Sequence, residues 1–346
     1  MNVTAVIPAY NPDKKFLVVI EGLVQAGFKH IIVVNDGTEE KYKSLFDKVR
    51  KNKHCVLLEH ETNYGKGRAL KTAFKYFLKQ FPDDIGLVTL DADNQHKVKD
   101  VLNCVKELQA HPYSLVLGVR DFNLENIPKR SSYGNKLTSL AFKLFCGLKI
   151  SDTQTGLRAI PTHFIETLIN TPGERFEFET NMLLETKDYK IPIREVPIET
   201  VYINGNTSSN FNPLLDSFSI YKVIAKFMCS SFTSIICDYT LFILLTALLS
   251  FLPPQYSLLI ATFTARFASS FLNFNVNRKL VFKSKTKTNI VFAKYYTLAL
   301  CLVTLSYLGI LLLSTQLMLP EIVAKILVDI VLFLLSFRIQ SNWVFG

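Results

Sequence analysis

Short apolar runs alternate with amphipathic stretches over the first 200 residues, and long, nearly unbroken apolar runs take over after Lys222. The short runs, at residues 3–7, 31–35, 55–59, 86–90 and 115–118, have the length and the Val/Ile/Leu content of buried strands. Between them, residues 16–26, 41–51, 67–81 and 98–109 repeat apolar side chains at helical spacing. Strands that alternate with helices predict an α/β layer structure with a mostly parallel sheet. In such a sheet, ligands bind beyond the carboxyl ends of the strands.

The later runs are of another kind. Residues 227–252, 256–276, 295–319 and 322–340 are each close to the ~20 residues a helix needs to cross a hydrocarbon core. They predict an all-α, four-helix transmembrane domain over 224–346. The two short connections hold no Lys or Arg, whereas the middle one holds Arg278, Lys279, Lys283, Lys285, Lys287 and Lys294. Basic loops stay on the cytoplasmic side, which places this loop, the N-terminal half and the C-terminus together on the inner face of a multi-pass plasma-membrane protein. The opening MNVTAVIPAYN shows no basic stretch followed by an apolar one, in keeping with that side. Residues 211–223 put Leu214, Leu215, Phe218 and Tyr221 on one helical face, and predict a juxtamembrane amphipathic helix, lying on the bilayer or packed on the first domain.

A pattern also recurs in this half. Phe274-x-Val276-Asn277-x-x-Leu280-Val281-Phe282 returns 63 positions later as Phe337-x-Ile339-Gln340-x-x-Trp343-Val344-Phe345. The same offset carries Arg266 onto Asp329. A lone charge in hydrocarbon is costly, so these two are expected to pair, with Asp238 as a further acceptor for Arg266 and Lys325 as a competitor for Asp329. The pair reads either as a stabilising contact or as part of a path for lipid or sugar.

Charge changes one conclusion. The 346 residues carry a formal net charge of +10, which in a soluble chain would point to nucleic acid. Residues 1–222, however, hold 29 Lys and Arg against 26 Asp and Glu, and residues 223–346 hold 10 against 3. The basic excess belongs to the apolar half, where it orients helices, and nucleic acid is not an expected partner. A hydrophobic share of 49% and a mean hydropathy of +0.22 exclude disordered and collagen-like classes. Six cysteines with no C-x-x-C pair and no His at zinc spacing read as small reduced hydrophobes.

Polar residues collect where the predicted strands end: Pro8-Ala9-Tyr10-Asn11, Asn35-Asp36-Gly37-Thr38, Asn63-Tyr64-Gly65-Lys66-Gly67-Arg68 and Asp91-Ala92-Asp93-Asn94-Gln95-His96. Carboxylate and amide oxygens in one turn suit a hard divalent cation, Mg²⁺ or Mn²⁺, bound together with a diphosphate. A D-x-D pair alone is a weak signal. It gains weight here from the apolar strand before it and from the three other polar ends. Gly65-Lys66-Gly67 lacks the G-x-x-x-x-G-K-[ST] spacing of a Walker A loop, so ATP hydrolysis is not expected.

Taken in order, PAYN, VVNDGT, NYGKGRAL, DADNQH, GVR and DTQTGLRAI resemble the GT-A glycosyltransferases of family 2. The nearest likeness within it is to the polyprenyl-phosphate type, typified by dolichyl-phosphate mannose synthase and the bactoprenol glucosyltransferases, and it covers residues 1–210. The repeat ending in NFNVNRKLVF and FRIQSNWVF resembles the GtrA-type four-helix membrane domain. For the first domain the resemblance implies a GT-A, Rossmann-like fold of nucleotide-diphospho-sugar transferases. It also implies roles. Pro8, Ala9, Tyr10, Asn11 and Asp36 match positions that hold base and ribose, with Gly65, Lys66 and Gly67 beside them. Asp91, Ala92 and Asp93 match the metal and diphosphate motif, with Gln95 as a further metal ligand. Arg120 and Arg130, with Ser131, match basic positions facing an acceptor phosphate. Asp152, Gln154, Thr155 and Arg158 match the acceptor-side motif whose acid borders the sugar, and Glu177 or Glu179 resembles a second acidic contact. Asp93, Asp152, Arg120 and Arg130 are the expected catalytic set. The family's usual Glu after PAYN is replaced here by Pro12-Asp13.

The chain is accordingly expected to be a membrane-bound inverting transferase using Mg²⁺ or Mn²⁺. It would move one sugar from a nucleotide-sugar donor, UDP-glucose or UDP-GlcNAc, to undecaprenyl or another polyprenyl phosphate at the cytoplasmic face of the lipid bilayer. The product would serve cell-wall polysaccharide or teichoic-acid glycosylation. Two alternatives stay open: a flippase or scaffold for lipid-linked sugars with an inert soluble domain, and a processive polysaccharide synthase. The second is weakened because no Q-x-x-R-W motif occurs in the first half. Assembly as a homo-oligomer is also open.

Overall fold

The structure, a computed structural model, describes residues 2–122, 127, 129–199, 218–282, 284 and 286–345. The chain divides into two units, Met1–Lys143 with Leu148–Ser219, and Leu144–Gly147 with Ile220–Gly346.

The first unit is built on strands β1 (Val3–Ala9), β2 (Ile31–Asp36), β3 (Cys55–His60), β4 (Gly86–Thr89), β5 (Leu115–Val119), β6 (Arg158–Pro161) and β7 (Ile193–Pro197). They form one sheet in the order β3-β2-β1-β4-β6-β5-β7. The five strands expected from the apolar runs are all present. β6 and β7 were not expected: the first is four residues long and ends in Pro161, and the second is half exposed at the sheet edge, so neither shows an apolar run. β6 runs antiparallel to β4 and β5, and the other pairings are parallel. Two reversals cancel, so β5 points the same way as β1, β2 and β4, and all four have their carboxyl ends on one edge.

The helices of this unit are α1 (Lys15–Gln25), α2 (Lys43–Arg50), α3 (Lys66–Gln80), α4 (Val98–Ala110), α5 (Lys129–Ala141), α6 (Thr162–Ile169) and α7 (Glu177–Asp188). Central strands covered on both faces read as continuous apolar runs, and Ile31 to Val34 are all at zero exposure. One core joins Phe16, Val19, Ile20 and Leu23 of α1 and Val101, Cys104, Val105 and Leu108 of α4 to the sheet. Side chains of this size each contribute about 1.5–3 kcal/mol on burial, which fixes the strands and thereby the edge where their polar ends emerge.

The second unit consists of α8 (Phe218–Leu248), α9 (Pro254–Val276), α10 (Thr288–Gln316) and α11 (Glu321–Ile339). Among the described residues, three segments are long and apolar enough to cross a membrane: Ala225–Leu248, Thr288–Leu313 and Ile326–Val344. α9 has 23 residues and is the more polar, carrying Arg266 and Asn273. Of the expected juxtamembrane helix, residues 211–217 lie outside the described residues, and from Phe218 onward the chain already belongs to α8.

The 63-residue repeat is visible as structure. α9 and α11 each run into a π-type turn, at Asn277–Val281 and Gln340–Val344. Asn277 Nδ2 donates to Gln340 Oε1 at 3.1 Å, and each amide also reaches back one turn, to Asn273 Oδ1 and Ser336 Oγ, both at 2.9 Å. Phe282 stacks on Phe345 at 5.1 Å. The expected Arg266–Asp329 pair is not formed. Arg266 Nη2 lies 3.3 Å from Asp238 Oδ2 instead, and Ser269 Oγ donates to Asp238 Oδ1 at 3.1 Å. The short 249–253 connection keeps α8 and α9 side by side, so the acid within reach is the one on the same hairpin. Asp329 lines a cavity of about 360 Å³ together with Ser231, Asn273, Tyr295 and Ser336.

Candidate active site

β4 ends at Thr89, and the turn beyond it carries both acids of the D-x-D pair. Asn94, at φ 63°, takes the left-handed step that closes the turn, a conformation Asn tolerates better than most residues. Asp91 Oδ1 meets Lys66 Nζ at 2.7 Å, and its Oδ2 lies 3.3 Å from His96 Nε2. Lys66 reaches on to Glu179 Oε2 at 3.0 Å. Gly156 packs on this group so closely that a Cβ there would lie 2.4 Å from Asp91 Oδ2. Burial alone would raise the Asp91 carboxyl, but the Lys66 ammonium and His96 outweigh it and hold the acid well below the ordinary carboxylate range. Asp93 moves the other way: burial, and then the charge of Asp91, push it up.

This contrast bears on a metal. Among the described residues no three His, Cys, Asp or Glu side chains converge on one point. Mg²⁺ and its analogues are commonly held by one or two carboxylates plus substrate phosphates, so a closed cage is not required. Asp93, crowded by the charge of Asp91 and accepting from the Gln95 N–H at 3.0 Å, is a fitting ligand, with Gln95 beside it. Asp91 pairs with Lys66 and His96 and stands one residue from Asp93.

At the ends of β1 and β2 the expected nucleotide residues are tied to one another. Pro8 and Ala9 close β1, and Tyr10 beyond them is 46% exposed. Asn11, at φ 48°, exchanges bonds with Glu39: its Nδ2 donates to Glu39 Oε1 at 2.7 Å, and Glu39 N donates to its Oδ1 at 2.9 Å. Glu39 was not anticipated, and it places a carboxylate at the strand edge where Pro12-Asp13 replaces the family's Glu. Asp36 accepts from Tyr64 N at 3.0 Å and Gly65 N at 2.8 Å and lies 2.7 Å from His60 Nδ1, binding the end of β2 to the start of α3. His60 also lies outside the sequence reading, because a lone His at a strand end carries no signal until its partner is known.

Gly65 and Gly67 serve close packing. Gly65 sits at φ 103° with room for no side chain, since a Cβ would lie 2.5 Å from Glu174 O. At Gly67 a Cβ would lie 2.6 Å from that of Phe178 on α7. Lys66, the first residue of α3, is aimed at Asp91 by this docking.

On the acceptor side, Arg120 follows β5 and binds Asp152 through Nε at 2.7 Å and Nη2 at 3.1 Å. Arg130 and Ser131 belong to the first turn of α5, and their side chains lie outside the described residues. Arg158 departs from expectation. It begins β6 at 1% exposure and donates to Thr155 O at 2.9 Å and Glu179 O at 2.6 Å, so it braces α7 against the sheet from within. Of the two glutamates, Glu177 accepts from Glu174 N and Arg175 N and closes the start of α7, whereas Glu179 faces Lys66.

The chain matches the profile "Glycosyl transferase family 2" over residues 4–186 and "GtrA/DPMS, transmembrane domain" over residues 226–345. An uncharacterised protein of Methanocaldococcus jannaschii is 31% identical over 225 residues, covering 64% of this chain and 90% of that one. The UDP-N-acetylglucosamine–dolichyl-phosphate N-acetylglucosaminyltransferase of Methanococcus voltae is 28% identical over 236 residues, covering 63% and 93%. An undecaprenyl-phosphate 4-deoxy-4-formamido-L-arabinose transferase of Pectobacterium carotovorum is 26% identical over 176 residues, covering 49% and 51%. Glucosyl-3-phosphoglycerate synthase of Mycobacterium tuberculosis superposes with a TM-score of 0.49 at 15% identity, over 65% of this chain and 77% of that one. This chain belongs to glycosyl transferase family 2, among relatives that act on polyprenyl phosphates, and is a membrane protein through its GtrA/DPMS domain.

Proposed function

We propose that the chain transfers a single sugar, with inversion, from a UDP-sugar, UDP-glucose or UDP-GlcNAc, to undecaprenyl or another polyprenyl phosphate at the cytoplasmic face of the membrane. The product would feed cell-wall polysaccharide or teichoic-acid glycosylation. The observation that carries the reading is the shared sheet edge, where Asp93 follows β4 and Arg120 follows β5 in a chain that also holds membrane helices. The UDP-GlcNAc named for the Methanococcus voltae relative supports the donor.

The reaction balances without a strong base. An oxygen of the acceptor phosphate bonds to the anomeric carbon opposite the diphosphate, and the carbon–oxygen bond to the diphosphate breaks. Its electron pair leaves on the nucleoside diphosphate, and the centre inverts. The attacking oxygen is already anionic at neutral pH, so no side chain has to remove a proton. Arg120 suits the acceptor because its planar fork orients phosphate oxygens and keeps its charge. Asp93 and Gln95, with Asp91 beside them, would hold Mg²⁺ or Mn²⁺, which when bound offsets charge growing on the departing diphosphate. Lys66 keeps Asp91 ionised and in place.

The test is a panel of labelled nucleotide sugars offered with undecaprenyl phosphate to the full-length protein in detergent. The expected result is one lipid-linked monosaccharide from a UDP-sugar, lost in EDTA and restored by Mg²⁺ or Mn²⁺. Polymer formation would make the chain a processive synthase. Binding of lipid-linked sugar with no turnover of any donor would make the soluble unit an inert scaffold.

A further inference from the structure

Asp152 is at 0% exposure, and its carboxylate is consumed by the protein. Oδ2 accepts from Arg120 Nε at 2.7 Å and from the Arg120 backbone N–H at 3.3 Å. Oδ1 accepts from Arg120 Nη2 at 3.1 Å and from Gln154 N at 3.0 Å. The turn that carries it is tied down residue by residue. Ser151 N and Oγ both donate to Glu195 of β7 at 2.6 Å. Asn135 Nδ2 donates to Ser151 O at 2.6 Å, and its Oδ1 accepts from Thr153 N at 3.0 Å. Thr155 Oγ1 donates to Gly118 O at 2.6 Å. Each bond removes a freedom the carboxylate would need to swing out toward a sugar.

We infer that Asp152 is a positioning residue for the acceptor: it acts through Arg120, fixing the guanidinium that meets the polyprenyl phosphate, and does not touch the reacting atoms. The inference rests on the reading of Arg120 as the acceptor-phosphate ligand. A side-on grip on the Nε–Nη2 edge fixes the plane of the guanidinium, and with it the direction of every N–H it carries. The Arg120 guanidinium also lies 5.0 Å from the Phe122 ring centroid, which restricts its tilt. The pair has no net charge, so Asp152 weakens the long-range pull on an anion. What it adds is direction, and preorganised direction is what a positioned phosphate requires.

The test uses full-length protein in detergent, with undecaprenyl phosphate varied against a saturating level of the nucleotide sugar selected by the donor panel. The variants are D152N, D152E, R120K and R120K/D152N, with UDP binding by calorimetry as the control. D152N and D152E should each raise the acceptor KM about tenfold or more, with kcat within about threefold and UDP affinity unchanged. D152E retains the charge and displaces it by one methylene, so a role in charge alone would spare it. In the R120K background, D152N should add nothing, because the two residues act as one. The pH profile of kcat should be the same in D152N as in the parent. A collapse of kcat at unchanged acceptor KM, or an altered pH profile, puts Asp152 at the reacting atoms and overturns the inference. A lower acceptor KM in D152N overturns it too, by making Asp152 a brake on anion binding. If R120K leaves the acceptor KM unchanged, the reading of Arg120 itself fails. Should D152N not fold, D152E and R120K decide the question.

Discussion

Asp91 and Asp93 are separated by one residue and live in opposite electrostatic surroundings. Lys66 and His96 hold the first in its charged form, while burial and its neighbour's charge work against the second. Asp93→Asn removes the carboxylate best suited to a divalent cation and should lower transfer by about 10²-fold or more. Melting temperature and detergent behaviour should stay those of the parent, and labelled-sugar transfer with and without EDTA checks this. Lys66→Met acts differently. It strands Asp91 and Glu179 near each other, and should destabilise the fold by about 2–4 kcal/mol, discounted because Asp91 remains a third exposed. Thermal melting of the full-length protein would show it as a clear drop. Residue types at this site were legible in the sequence, since four polar clusters follow four apolar runs. The partners were not. Lys66 with Asp91, His60 with Asp36 and Arg120 with Asp152 are each 24 or more positions apart, and periodicity holds no information about which strand ends lie side by side.

At the level of elements, the entry into α3 decides where Lys66 points. Its first turn docks on the Glu174–Phe178 segment so tightly that Gly67 has no space for a methyl group. Gly67→Ala should push α3 and α7 apart at a cost of about 1–3 kcal/mol. The readouts are melting temperature and a weakened UDP affinity, because the Gly65 N–H that Asp36 accepts belongs to the same turn. β1 to β5 were legible from their apolar runs, and the central β1, β2 and β4 are apolar because both faces of the sheet are covered there. β6 escaped because Arg158, its first residue, is a charged side chain whose burial depends on carbonyls supplied by Thr155 and Glu179. A buried arginine anchored on backbone carbonyls looks like a surface arginine in sequence.

For the whole molecule, the apolar runs of the second half announce helices, yet the 63-residue offset misled about contact. Equivalent positions of a repeat need not touch. Asn277 and Gln340 do, and so do Phe282 and Phe345. Arg266 and Asp329 do not, and Arg266 turns to Asp238 on its own hairpin. Arg266→Leu and Asp238→Leu should therefore each lower the yield of membrane-inserted protein, and the double change should recover most of it. On a helix face turned toward hydrocarbon, an ion pair adds little over apolar side chains, whereas a lone charge there is costly. The amount extracted from membranes by detergent is the measurement. Recovery by Arg266→Leu with Asp329→Leu, and not with Asp238→Leu, would sink this assignment.

The bond between Asn277 and Gln340 joins a residue to its own counterpart, which is the contact a symmetric homodimer makes across its axis. The four-helix unit thus has the construction of two tandem halves that meet, among other contacts, at a joint of a shorter and a longer amide. The length of that joint is shared between its sides, so it is their sum that is constrained. Asn277→Gln alone overfills the axis and Gln340→Asn alone opens a gap, and either should lower the melting temperature. Making both substitutions exchanges the amides between halves and should restore most of the loss. Were the exchange as damaging as the two singles added together, the halves would be distinct parts that merely look alike.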